Sequence, residues 1–172
     1  MAKHKVFISY YHKDDQYYKE RFETLYGHLF INKSVQDGDI STDVSADYIS
    51  RLIIGGYISD ASVLVVLIGN NTKKRKHVDW EISAALNKKV NGYSGLIAFL
   101  LPTHDDYSKG KYTYDNIPQR LAYNVESGYA KVYDWTENVA SMSNIIETAF
   151  NARVSDSNLI NNKLIQFTNN RP

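Results

Sequence analysis

A doubly wound α/β fold, with five mostly parallel strands in the order 2-1-3-4-5 and helices on both faces, follows from three observations on the sequence. Short β-rich or wholly apolar runs alternate with stretches of helical periodicity along the chain. Two of the runs, SVLVVLIG (Ser62–Gly69) and GLIAFLLP (Gly95–Pro102), are apolar on both strand faces, as a strand buried between two helical layers must be. The segments between runs are long enough for crossovers, so successive strands pair in parallel through right-handed connections, the flavodoxin-like arrangement.

KVFISYY (Lys5–Tyr11) is the first strand. Asp14 or Asp15 then caps a helix in which Tyr18, Phe22, Leu25 and Leu29 recur on one face. LFINKSVQ (Leu29–Gln36) is a second, weaker strand, and DGDISTDVS (Asp37–Ser45) a polar, glycine-containing loop. Helical spacing resumes at Ile49, Leu52 and Ile53 and loosens at Gly55-Gly56. Ser62–Gly69 is the third strand. RKHVDWEISAALNKK (Arg75–Lys89) opens a helix from about Val78 to Val90, with Val78, Ile82, Ala85 and Leu86 on its apolar stripe. Gly95–Pro102 is the fourth strand and YAKVYDW (Tyr129–Trp135) the fifth. Between them lies a polar insertion of residues 103–128 with one helical turn after Pro118. VASMSNIIETAFNARV (Val139–Val154) closes the domain as a helix. Residues 1–154 thus form one domain, and 155–172, rich in Asn and Ser, read as a polar tail, either flexible or packed as a short extension.

Composition excludes several classes of function. A formal charge of +1, with cations scattered among acids, leaves no basic stripe for nucleic acid. The absence of cysteine removes disulfides, thiol nucleophiles and thiolate metal sites. The apolar runs are too short to span a bilayer, and Met1–Lys5 lacks the charged-then-apolar pattern of a secretion signal, so a cytoplasmic protein away from membranes is the expectation.

In a sheet of this order, ligands bind beyond the carboxyl ends of the strands. That rule brings together Ser9, Tyr10 and Tyr11 after strand one, the loop carrying Asp37 and Asp39, and the segment after strand three that leads into Glu81. Glu81 is the anomaly, a carboxylate set against an apolar stripe beside Trp80. It could be a solvated residue pairing with Lys88 or Lys89. His77 and Glu81, four residues apart, could chelate a metal, but no third ligand stands in spacing and no metal is expected. Phe7 and Ile8 fit alternating strand positions. Tyr10 and Tyr11 could stack on a ligand ring or close the core edge, and Asp37-Gly38-Asp39 could be turn chemistry alone.

HKVFISYYHKDD, DGDI after strand two, SVLVVLIG, and HVDWEISAAL on the following helix together resemble bacterial Toll/interleukin-1 receptor (TIR) domains, most closely the TIR-like proteins of Thoeris antiphage defence. The likeness runs from about Lys3 to Arg153. It implies the TIR fold and cleavage of NAD+ between nicotinamide and ribose, with NAD+ as substrate and no separate cofactor. Glu81 matches the family's catalytic glutamate. Phe7, Ser9, Tyr10, Tyr11, Asp37, Asp39 and His77 fall where the family's substrate-contacting segments lie. His77 stands where the common pattern has tryptophan. The resemblance also implies self-association through the loop after strand two, a cyclic ADP-ribose isomer as product, a separately encoded effector that receives it, and a phage-derived trigger. A non-catalytic TIR scaffold and a nucleoside deoxyribosyltransferase-like enzyme are the competing classes. A phosphoacceptor receiver domain fits less well, since Asp14 and Asp15 lie beyond strand one and no lysine ends strand five.

Overall fold

In the computed structural model, residues 2–34 and 56–172 are described. The runs read as strands form one parallel sheet there, ordered β2-β1-β3-β4-β5. The strands are β1 (His4–Ser9), β2 (Phe30–Asn32), β3 (Val63–Ile68), β4 (Gly95–Leu100) and β5 (Lys131–Asp134). The α-helices among the described residues are α1 (His12–Tyr26), α2 (Lys76–Ala85), α3 (Gln119–Glu126) and α4 (Val139–Ser155). The order foreseen from alternation is the observed one. The expected loop Asp37–Ser45 and the helical spacing at Ile49–Ile53 lie outside the described residues.

Strand periodicity sorts the core into two layers. Phe7, Leu64, Val66, Ile68, Leu96 and Ala98 face α2 and α3 and pack with Val78, Ile82 and Leu121. Val6, Ile8, Val65, Leu67, Ile97 and Phe99 face α1 and α4 and pack with Phe22, Tyr26, Met142 and Ile146. β3 and β4, buried at every residue, are the middle of the sheet. α4 lies so close over β4 that a Cβ on Gly95 would collide with the Ala149 carbonyl. Glycine is therefore the residue that lets helix and strand approach.

The boundaries moved for identifiable reasons. α1 starts at His12 rather than behind an aspartate cap, because the Asp14 and Asp15 N–H groups donate to the Tyr11 carbonyl at 3.2 and 2.9 Å. It stops at Tyr26, three residues before Leu29, and Gly27 follows it as the turn into β2. α2 begins at Lys76 and ends at Ala85, whose carbonyl accepts from Ser94 N–H at 3.0 Å, so Asn87–Val90 belong to a turn and not to the helix. Lys89 closes that end, donating to the Ala85 carbonyl and to Ser94 Oγ at 3.3 and 2.9 Å, and burial lowers its pKa to about 8. The helical turn expected after Pro118 is a two-turn helix, α3, held by Arg120 as described below.

The chain beyond α4 turns at Ser157–Leu159 and then lies as a strap along α2 and α3. Asn124 of α3 exchanges two hydrogen bonds with the Asn161 backbone, both 2.8 Å. None of the described helices is long and apolar enough to cross a membrane.

Candidate functional site

At the carboxyl edge of the sheet, two connections meet among the described residues. Ser9 ends β1 beside Val66 of β3, and Tyr10 and Tyr11 lead directly into α1. Residues 69–75 lead from β3 into α2 and are held by Thr72, whose hydroxyl accepts from Gly69 N–H at 2.9 Å. Ser9 is fully buried, and its Oγ has no hydrogen-bond partner among the described residues.

His77 ties the first turn of α2 to this edge. Its Nε2 donates to the Tyr10 carbonyl at 3.0 Å, which places the proton on that nitrogen. Only 3% of His77 is exposed, and desolvation is the main cause of a pKa lowered to about 4, so the ring is neutral. Glu81 lies one turn further, roughly 6 Å along the helix on the same stripe. It is 2% exposed. The solvated ion pair with Lys88 or Lys89 is thereby set aside: Glu81 is buried, and Lys89 donates to Ala85 and Ser94. Among the described residues, no three potential metal ligands stand together.

The aromatic residues divide. Phe7 sits mid-strand opposite Leu64, enclosed in the α2-side core, so its place is below the edge and not at it. Tyr10 belongs to the opposite core layer. Its hydroxyl donates to Gln16 Oε1 at 2.6 Å, and its ring stacks on His12 at 4.1 Å between centroids. Tyr11 is half-buried, and the Arg75 guanidinium lies 4.7 Å from its ring centroid. Of the two tyrosines, Tyr11 is the one with a surface to offer a ligand. Asp37 and Asp39 lie outside the described residues.

Sequence reasoning missed Asp15 as part of this edge. Its carboxyl is 2% exposed and turned onto Gly69, where an added Cβ would lie 2.6 and 2.7 Å from its two oxygens. Desolvation first, and then the charge of Asp14, raise its pKa to about 6 against the opposing hydrogen bond from Thr72. The only signal was its position in the first turn after β1, which read equally well as a cap. Asp79 was also missed, although it is two residues from Glu81. It points away from the edge and accepts two bonds from Arg120, at 2.9 and 3.2 Å, and a third from Phe167 N–H at 2.9 Å.

Residues 7–106, more than half of the 172, match the family model of the Thoeris protein ThsB, TIR-like domain. No curated protein matches the chain. Among solved structures, the TIR domains in the activated Roq1 resistosome directly recognizing the pathogen effector XopQ align with 91% of this chain and 84% of theirs. The identity is 14% and the TM-score 0.43.

Proposed function

The chain belongs to the family of the Thoeris ThsB TIR-like domain, and from that premise we propose that it cleaves NAD+ at the bond between nicotinamide and ribose, with Glu81 as the catalytic residue. The observation that carries the proposal is a carboxylate 2% exposed on the helix that follows the central strand, one turn from the carboxyl edge of a parallel sheet.

The chemistry asks little more of the protein than that. Nicotinamide leaves a cationic pyridinium as a neutral ring, taking the electron pair of the broken C–N bond, so no acid has to protonate it. Positive charge develops on the ribose carbon, as in glycoside cleavage. A carboxylate fixed in a desolvated place stabilises that charge far more than one in water. In this reading Tyr11 and the neighbouring Arg75 meet a substrate ring and its phosphates, while Ser9, fully buried, has a hydroxyl without a partner among the described residues. Capture of the ribose carbon by a hydroxyl of the adenosine ribose, with loss of that hydroxyl's proton, gives a cyclic ADP-ribose isomer. Capture by water gives linear ADP-ribose. We assign the cyclic product, released as a messenger to a separately encoded effector in antiphage defence.

The test is Glu81→Gln, which keeps size and hydrogen bonding and removes the charge. Nicotinamide release from NAD+ should fall by at least a hundredfold, with circular dichroism and the unfolding midpoint retained. Wild-type turnover in the folded variant sinks the assignment. Turnover of deoxynucleosides in place of NAD+ would move the protein to the deoxyribosyltransferase class. Only linear ADP-ribose among the products would leave plain hydrolysis.

A further inference from the structure

We infer that the strap formed by residues 161–171 holds α2 in the attitude from which Glu81 works, with Asn170 and Arg120 as positioning residues; the inference rests on the NAD+-cleavage reading above. The helix that carries Glu81 is poorly equipped to hold itself. It has ten residues, and its N-cap position is Arg75, which supplies no side-chain cap. Helices this short are marginal in water, and their first N–H groups need partners from elsewhere.

The strap bonds to the helix turn by turn, running antiparallel to it, and takes up the first of those N–H groups. Asn170 Oδ1 accepts from Lys76 N–H at 3.0 Å and so does the work of a cap from a distance of 94 residues in the chain. Arg171 N–H donates to the Lys74 carbonyl at 2.9 Å, just before the helix. In the next turn the Phe167 carbonyl accepts from Trp80 Nε1 at 2.7 Å, while Phe167 N–H donates to Asp79. One turn on, Gln166 and Asn162 donate to the Ser83 hydroxyl and carbonyl, both at 3.1 Å, and Asn162 also reaches Asn87 Oδ1 at 3.1 Å.

Arg120 locks the assembly. Its side chain is 1% exposed and spends its donors on both partners at once: a bidentate pair with Asp79 on α2, and Asn162 Oδ1 and the Leu164 carbonyl on the strap, at 2.9 and 2.8 Å. Asp79 and Glu81 are two residues apart and so project from nearly opposite sides of the helix. A rotation or slide of α2 that loosened Asp79 would carry Glu81 with it, and would pull on the bond by which His77 ties the inner stripe to the Tyr10 carbonyl just beyond β1. Displacements of an ångström at a reacting group cost large factors in rate.

Because removing Arg120 would strand a buried aspartate, the experiment uses gentler changes: Asn170→Ala, Asn170→Asp and Trp80→Phe in the full chain. Two readouts are taken, steady-state nicotinamide release over a range of NAD+ concentrations and hydrogen exchange of the α2 and α4 amides. Asn170→Ala and Trp80→Phe should each lower kcat by about threefold to tenfold with KM nearly unchanged, and should lower protection in α2 but not in α4. Asn170→Asp, which keeps the acceptor, should behave as wild type. Wild-type kcat in both disruptive variants, a change confined to KM, failure of Asn170→Asp to rescue, or protection lost equally in α4 each overturns the inference. A wild-type chain that releases no nicotinamide refutes the NAD+ reading instead. Hydrogen exchange then still decides the clamp, which fails if α2 protection is untouched by Asn170→Ala.

Discussion

Two buried ionisable side chains at the carboxyl edge pull the stability of the protein in opposite directions with pH. Asp15 has its pKa raised from 3.8 to about 6, so the folded state holds a proton that the unfolded chain gives up. Its contribution is complete below about pH 4 and is lost as the pH rises through 6. His77 has its pKa lowered from 6.5 to about 4, so the unfolded chain takes up a proton that the folded state refuses. Its contribution is complete above 6.5 and is lost as the pH falls through 4. Over their shared window the two effects oppose each other. Urea unfolding should therefore find the wild type less sensitive to pH across that window than a variant that keeps only one of the two groups. Asp15→Asn should be more stable than wild type at neutral pH and lose stability steeply on acidification. His77→Gln, which keeps a donor toward the Tyr10 carbonyl, should instead lose stability as the pH rises. A flat profile in both variants would show that neither group titrates as assigned. Glu81 stood out in the sequence as a carboxylate against an apolar stripe, but the residues alone left a solvated ion pair open; its burial is seen only in the fold, and its assigned role comes from the family resemblance. Asp15 and Asp79 did not stand out, since each sits where an exposed first-turn acid is ordinary and only the fold turns it inward.

At the scale of elements, β3 and β4 could be read directly because burial on both faces writes itself into the sequence as an unbroken apolar run. β2 reaches only three residues, too few to leave a periodic trace, and its pairing to β1 is a consequence of the crossover rather than of composition. α3 was underestimated for a related reason. Its stability comes from Leu121 in the core and from Arg120 and Asn124, whose partners are up to 44 residues away. No local pattern announces such partners. The contact between α4 and β4 gives a prediction at this scale. Gly95→Ala puts a methyl group into the Ala149 backbone, where no side chain can swing aside, so α4 must lift from the sheet. The loss should exceed about 2 kcal/mol and should appear as a lowered unfolding midpoint together with faster exchange in α4. A midpoint within a degree of wild type would mean that the helix has slack at this point. Ala98→Gly, a buried small residue on the other face, serves as a comparison.

For the molecule as a whole, the proposed site is assembled from the ends of β1 and β3 and the start of α2, and we propose that association with a second copy of the chain completes it. On that proposal specific activity should rise with protein concentration and fall on dilution. A strictly monomeric species of undiminished activity would refute it. The strap has a further consequence, one of timing. Three of its residues bond to groups 75 to 94 positions earlier in the chain: Asn162 to Asn87, Phe167 to Asp79, Asn170 to Lys76. At roughly 5–20 residues per second of synthesis, α2 leaves the ribosome several seconds, up to about 20, before the segment that fastens it exists. All five strands precede the strap in the chain, so the sheet can close while the helix bearing Glu81 is still waiting for its outer partner. On the proposals made above, a nascent chain halted before residue 161 would be folded at its centre and idle at its edge.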